Sequence, residues 1–228
     1  MDNPVLVLAS NSPRRRELLT LGGWTFQTQA ADVDESLRPG EEPGSYVLRL
    51  AEGKARACAK TIRPDQKALR GTFILAADTT VVNGPAILGK PNDKAEAVEM
   101  LNALRGHIHQ VLTGVAALRL SDGTLVTDLC VTAVPMRAYS DQEIEAYVAS
   151  GDPLDKAGAY GIQNTGFHPV EGMRGCYASV MGLPLCHVTR SLRKLGISPS
   201  TDSAAECQSK LDYACPISAA VLGGEMIG

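Results

Sequence analysis

The chain has 228 residues, a formal net charge of -3 and 44% hydrophobic residues, enough for one large domain or two small ones with an ample core. There is no global basic bias, and three Phe with one Trp leave little for base stacking, so nucleic acid is not an expected partner, although Arg14, Arg15 and Arg16 form a cluster that can hold a compact anion. No stretch approaches transmembrane length, the apolar run Val5 to Ala9 is too short and too acidic in its flank for a signal peptide, and six dispersed cysteines form no CxxC pair; a cytoplasmic protein is expected, with no membrane partner, zinc site or disulfide framework.

Val5 to Ala9 reads as a fully apolar first strand. It runs into SNSPRRRELLTLGG, where Ser12 is an N-cap, Pro13 suits the first helical position and Gly22-Gly23 supplies a stop, so a helix is expected from about Pro13 to Leu21. A helix N-terminus offers an anion free amides and the positive end of a dipole, and an arginine placed there opposes that dipole. Ser10 and Arg14 are therefore candidate phosphate ligands; the alternative is a solvated basic face, which Arg15 and Arg16 fit. Trp24 to Gln29 looks like a second strand. The acidic loop behind it, ADVDESLRPGEEPG, carries Asp34 and Glu35, either solvated or helping to hold a divalent cation.

From about Ser45 to Lys60 the pattern is helical, with Val47, Leu50, Ala51 and Cys58 on one face. Lys54 falls on that face too. It either snorkels its ammonium to the edge or is aimed from a rigid helix at a phosphate or at Asp78. Asp78 lies in FILAADTTVV, where Phe73 to Ala77 reads as a buried strand that opens onto a site at the carboxylate. An ionised carboxylate is not left alone in an apolar core, so either a cation meets Asp78 or the strand ends there. With Thr79 and Thr80 beside it, Asp78 suits metal coordination or activation of a water; the plainer reading is a cap for the next turn.

NGPAILGKPND follows as a hairpin-like turn, with Lys90 held extended by Pro91. Asp93 and Glu96 make a capping-box-like start for a helix whose stripe is Val98, Leu101 and Leu104 and whose stop is Gly106. His109 to Leu120 and Thr124 to Met136 read as two long strands around Asp122-Gly123, and Ser140 with Glu143 caps a helix to about Ala149. His107 and His109 read as strand-entry residues rather than metal ligands. GDPLDKAGAYGIQ, with Asp155, Lys156 and Gln163, has more hydrogen-bonding capacity than a linker needs and is read as a binding loop. A strand or turn region through Val170 and Gly175 to Val180 leads to a last core helix from Pro184, closed by Gly196. Residues 199–228 form a separate appendage with a short amphipathic pattern through Cys207, Leu211 and Ala214, packed on the domain or on a partner. In one helix, Cys207 and Cys215 lie about 12 Å apart along the axis, too far for a mutual disulfide.

LASNSPRRRELL, LAEGKARA, ILAADTTVV, ILGKPND, LRGHIHQVLTGVA, GDPLDKAGAYGIQ and VMGLPL together resemble, in order and spacing, the Maf family of nucleotide pyrophosphatases over residues 4 to 196. The resemblance implies a Maf domain over residues 1–198, an α/β fold akin to the inosine-triphosphate pyrophosphatases with a central mixed sheet flanked by helices, a homodimer and a divalent metal, Mg2+ or Mn2+. It implies hydrolysis of a nucleoside triphosphate to the monophosphate and pyrophosphate. Asp78 matches the family's acid-base aspartate, Ser10 and Arg14 its phosphate-binding block, Lys54 and Lys90 its two lysines, and Glu35, together with Asp78, its metal site. Gly53 departs from the Glu or Lys common before the first lysine. Arg14, Thr79 and Gln163 match positions of the dTTP and UTP branch. The alternatives are a branch acting on 7-methyl-GTP and a nucleotide-binding regulator of septum formation.

Overall fold

The computed structural model describes residues 4–62 and 71–228. Strand β1 (Val5–Leu8) leads into helix α1 (Pro13–Leu21), where Ser12 caps the Arg15 amide and Pro13 occupies the first turn as expected. Then come β2 (Phe26–Thr28), α2 (Pro43–Thr61), β3 (Thr72–Asn83), β4 (Ala86–Leu88), α3 (Lys94–Leu104), β5 (Ile108–Arg119), β6 (Leu125–Pro135) and α4 (Asp141–Ala149). Short 3-10 turns at Asp152–Asp155 and Ala157–Ala159 precede α5 (Tyr177–Val180), α6 (Leu185–Lys194), α7 (Ser203–Lys210) and α8 (Ser218–Leu222).

The strands make one mixed sheet in the order β2-β1-β3-β5-β6, with β4 also paired to β3. Strand β1 is parallel to β2 and β3, whereas β3 pairs antiparallel with β4 and β5, and β5 with β6. Alternation along β3 assigns its side chains to two layers. Ile74 and Ala76 pack with Ala51, Ala55 and Cys58 of α2, while Phe73, Leu75 and Ala77 pack with Leu18 and Leu19 of α1 and Leu185 and Val188 of α6. Further along, Val81 joins a second cluster built on α3 and α4.

Strand β3 does not open at Asp78; it continues to Asn83. Its register with β1 stops at Leu75 and its register with β4 starts at Val81, so residues 76–80 lack a ladder partner on that side among the described residues. The opening expected of a strand end is thus a gap beside a continuous strand, braced on its other side by β5.

Gly114 of β5, which faces Asp78 across the ladder, brings α2 close to the sheet. A Cβ at Gly114 would sit 2.6 Å from the Val47 carbonyl oxygen, a backbone atom that cannot swing aside. Gly114→Ala is expected to cost about 1–3 kcal/mol as an overpacking change and to lift α2, with Lys54, off β3. Chemical denaturation reads the first effect and loss of activity beyond the loss of folded protein the second.

The remaining differences are local. The second strand is shorter than Trp24 to Gln29, because Trp24 turns into the core. The α3 capping box is not reciprocal: Asp93 accepts from the Glu96 amide, but Glu96 accepts from the amide of Asn92, at 2.7 Å, whereas the Ser140–Glu143 box of α4 is complete. The stretch from Val170 to Val180 is a single bridge to Met136 followed by α5. Helix α7 stops at Lys210, before Ala214, and Asp212 takes a left-handed φ of 47°.

Residues 199–228 pack against the domain. Ser203 donates to the Gly22 carbonyl at 2.7 Å, Tyr213 to that of Gly175 at 2.9 Å, and Val221 is buried against Cys186 and Ala204. Beneath α8, the Arg190 guanidinium makes a two-point ion pair with Asp128 at 2.8 and 2.7 Å and donates to the carbonyls of Val221 and Glu225. All six cysteines are free thiols, and no described helix is long and apolar enough to cross a membrane.

Candidate active site

A cleft of about 560 Å3 opens at the gap in β3. Its lining combines the start of α1 (Ser12 to Arg15), Lys54 of α2, Asp78 to Val81 of β3, Lys90 beyond β4, and Lys156 and Tyr160 of the loop after α4. A second cavity of about 260 Å3, lined by Gln163, Asn164 and Gly161, shares Arg14, Lys156, Tyr160, Val180 and Met181 with the first. The two form a cleft with a strongly basic end and an amide-bearing end.

Asp78 belongs to the even positions of β3 and so points toward α2. Lys54 lies four residues after Leu50 on the buried face of that helix, and its Nζ reaches Asp78 Oδ1 at 2.6 Å. The same ammonium stands 2.6 Å from Oε1 of Glu35, whose side chain is 58% exposed in the acidic loop. Of the two readings of Lys54 from sequence, the inward one holds. Asp78 itself is only 7% exposed. Burial raises its pKa above the ordinary carboxylate value, outweighing the lowering by Lys54 and Arg15. A cation does meet Asp78, but the desolvation of a mid-strand residue is the larger effect.

Thr79, at an odd position, points to the opposite layer, where α1 delivers Arg15. Arg15 Nη2 donates to Thr79 Oγ1 at 3.2 Å and Nε to the Gly182 carbonyl at 2.9 Å, and Thr79 Oγ1 also meets Thr113 Oγ1 at 3.0 Å. Arg15 was expected on a solvated face; instead it lines the cleft, and burial lowers its pKa against the opposing pull of Asp78 and Glu35. Arg16 is exposed, as expected. Helical spacing separates the two: Arg15 lies three and four residues before Leu18 and Leu19, the buried residues of α1, whereas Arg16 is one position round from that face.

Arg14 borders both cavities and approaches Asp155 Oδ1 at 3.8 Å. Lys90 lines the cleft with no hydrogen bond or ion pair among the described residues. Ser10 is not among the lining residues: it is buried, and its hydroxyl accepts from the Ser12 amide at 3.1 Å, so it shapes the turn that presents Ser12 and α1. Gln163 is exposed at the far end, in the smaller cavity. His109 is a buried strand residue whose Nε2 meets the Tyr160 hydroxyl at 2.8 Å; burial lowers its pKa to about 4.

For a divalent cation, Glu35 and Asp78 are the available carboxylates, and both already converge on one positive group, Lys54. No cluster of three or more acidic, His or Cys side chains suited to a metal occurs among the described residues. Two hard oxygen donors fit Mg2+, which is commonly held by one or two carboxylates and completed by water and substrate phosphate.

The Maf-like protein family model matches residues 5–195. The chain belongs to the Maf-like family. Relatives within reach of this Maf-like chain include the dTTP/UTP pyrophosphatase of Hahella chejuensis, 48% identical over 197 residues that cover 86% of this chain and 95% of that protein. The dTTP/UTP pyrophosphatase of Citrifermentans bemidjiense is 46% identical over 196 residues, 86% of this chain and 98% of that protein. The solved Ham1 protein of Staphylococcus aureus aligns with a TM-score of 0.42 and 16% identity over 91% of this chain and 98% of that one, a likeness that carries no functional argument. The Maf-like match stops before residues 199–228.

Proposed function

We propose that this Maf-like chain hydrolyses dTTP and UTP, and modified pyrimidine nucleotides like them, to the nucleoside monophosphate and pyrophosphate. The observation that carries the reading is a buried carboxylate, Asp78, paired with Lys54 inside a cleft whose lining also includes Arg14, Arg15, Lys90 and Lys156. The names of the relatives supply the substrate. A cleft that only held a nucleotide would need the cations but has little use for a buried base.

In this reading the triphosphate lies along the basic end. Arg14, Lys90 and the amides at the start of α1 neutralise its charge, exposing the α-phosphorus to attack. Asp78 takes a proton from a water as the water oxygen bonds to that phosphorus, and the bond to the oxygen bridging the α and β phosphates breaks, releasing pyrophosphate. Lys54 holds Asp78 in place through its 2.6 Å contact. Glu35 and Asp78 would hold the divalent cation, whose contribution is further charge neutralisation on the phosphates. Thr79, fixed by Arg15, and Gln163 at the far end are assigned to recognition of the nucleotide, with Arg14 between the two cavities. A reducing, cytoplasmic setting is supported by six free thiols, and a homodimer by the family resemblance.

The test is pyrophosphate release across canonical and modified nucleoside triphosphates with Mg2+ or Mn2+. Preference for dTTP and UTP is the expected result. Preference for 7-methyl-GTP would move the chain to the other branch, and binding without turnover by folded, metal-loaded protein would favour the regulator of septum formation.

A further inference from the structure

Gln163 sits in a turn that is tied at both ends. The Gly161 amide donates to the Tyr147 hydroxyl at 2.9 Å, and that hydroxyl donates to Asp152 Oδ2 at 2.7 Å. Asn164 Nδ2 donates to the same oxygen at 3.2 Å, while Lys156 Nζ donates to Asp152 Oδ1 at 2.8 Å and to Asp155 Oδ1 at 2.6 Å. Gly161 also lies on the Lys156 stem: a Cβ there would come within 2.9 Å of Lys156 Cε. The ring of Tyr147 is fixed in turn by stacking on Phe167 at 4.3 Å. Lys156 is 7% exposed, with all of these contacts directed at the loop itself.

We infer that Tyr147, Asp152 and Lys156 form a positioning cluster for base selection, clamping the turn from Gly161 to Asn164 so that the Gln163 amide is presented to the pyrimidine end of the cleft. The inference rests on the reading of Gln163 as a specificity residue. A side-chain amide discriminates between bases through directed hydrogen bonds. An exposed glutamine on a loose turn would have to order itself at each binding event, and the clamp removes that cost before the nucleotide arrives. None of the three residues needs to touch the substrate.

Tyr147→Phe tests this, since it deletes the hydroxyl that joins Gly161 to Asp152 and keeps the ring that stacks on Phe167. The kinetic constants for dTTP and for dGTP are measured in the wild type, Tyr147→Phe, Gln163→Ala and the double variant. The expected result is a higher KM for dTTP and a selectivity for dTTP over dGTP reduced roughly tenfold, the size of one lost hydrogen bond, with kcat for dTTP preserved. Tyr147→Phe should add nothing to the selectivity loss of Gln163→Ala, because both act through one group. Wild-type selectivity in Gln163→Ala would overturn the role of Gln163 and the clamp with it. A selectivity loss in Gln163→Ala but not in Tyr147→Phe, or two losses that add in full, would overturn the clamp alone. Asp152→Asn, which keeps the side-chain shape, supplies the same comparison if Tyr147→Phe does not fold.

Discussion

Asp78→Asn is expected to abolish pyrophosphate release while nucleotide binding persists. The amide keeps the shape of the carboxylate and can still accept a hydrogen bond from Lys54, which stands 2.6 Å away, but it takes no proton from water. The side-chain cations that would hold the phosphates, Arg14 and Lys90, are untouched, so binding followed by calorimetry should change far less than turnover. Near-normal turnover would remove Asp78 from the mechanism. The wild-type pH profile provides a second check. A base works only when deprotonated, so kcat/KM falls as pH drops through the pKa of Asp78. Because burial raises that pKa, the acid limb should lie above the range of an ordinary carboxylate. Lys54→Met, which removes a lowering influence, should move the limb further up.

Asp128→Ala is expected to give the largest loss of stability. Asp128 and Arg190 are 4% and 6% exposed, and the aspartate satisfies two guanidinium nitrogens at once. Removing it strands a buried positive charge with only carbonyl partners from the final thirty residues, and breaking such a pair costs about 3–5 kcal/mol. Urea unfolding measures the loss. Replacing both partners by apolar residues, Asp128→Leu with Arg190→Met, should recover much of it, since the penalty comes from the uncompensated charge rather than from the absence of a salt bridge. Equal losses in the single and double variants would contradict that account.

Local signals in the sequence place most elements. The Ser12-Pro13 start and Gly22-Gly23 stop give α1 its bounds, and Ser140 with Glu143 gives α4 its cap. The cleft residues Asp78, Lys54, Lys90 and Arg14 are chemically unusual where they stand, which is why they could be picked out. What sequence could not supply was long-range. That Asp78 lies mid-strand depends on the unbroken pairing of β3 with β5, and the gap beside it on where β1 and β4 stop along β3. The upward shift of its pKa depends on how completely α2 covers it. Arg15 is held inward by the Gly182 carbonyl, far along the chain. The appendage from residue 199 onward was separable by composition, but its anchoring on Arg190 becomes visible only in three dimensions.

Strand β3 acts as a partition through the cleft. Asp78 faces the α2 layer and Thr79, its immediate neighbour, faces the layer of α1, yet the gap between β1 and β4 exposes both to one space. In the proposed reading, proton transfer and nucleotide choice fall on opposite sides of a single backbone. Substitutions in the α1 layer that keep Arg15 would retune selectivity while sparing the carboxylate, whereas loss of Arg15, whose charge lowers the Asp78 pKa, would disturb both; those in the α2 layer would act on its acidity. A single-residue insertion upstream of Asp78 would have the reverse character, exchanging the two sides in one step.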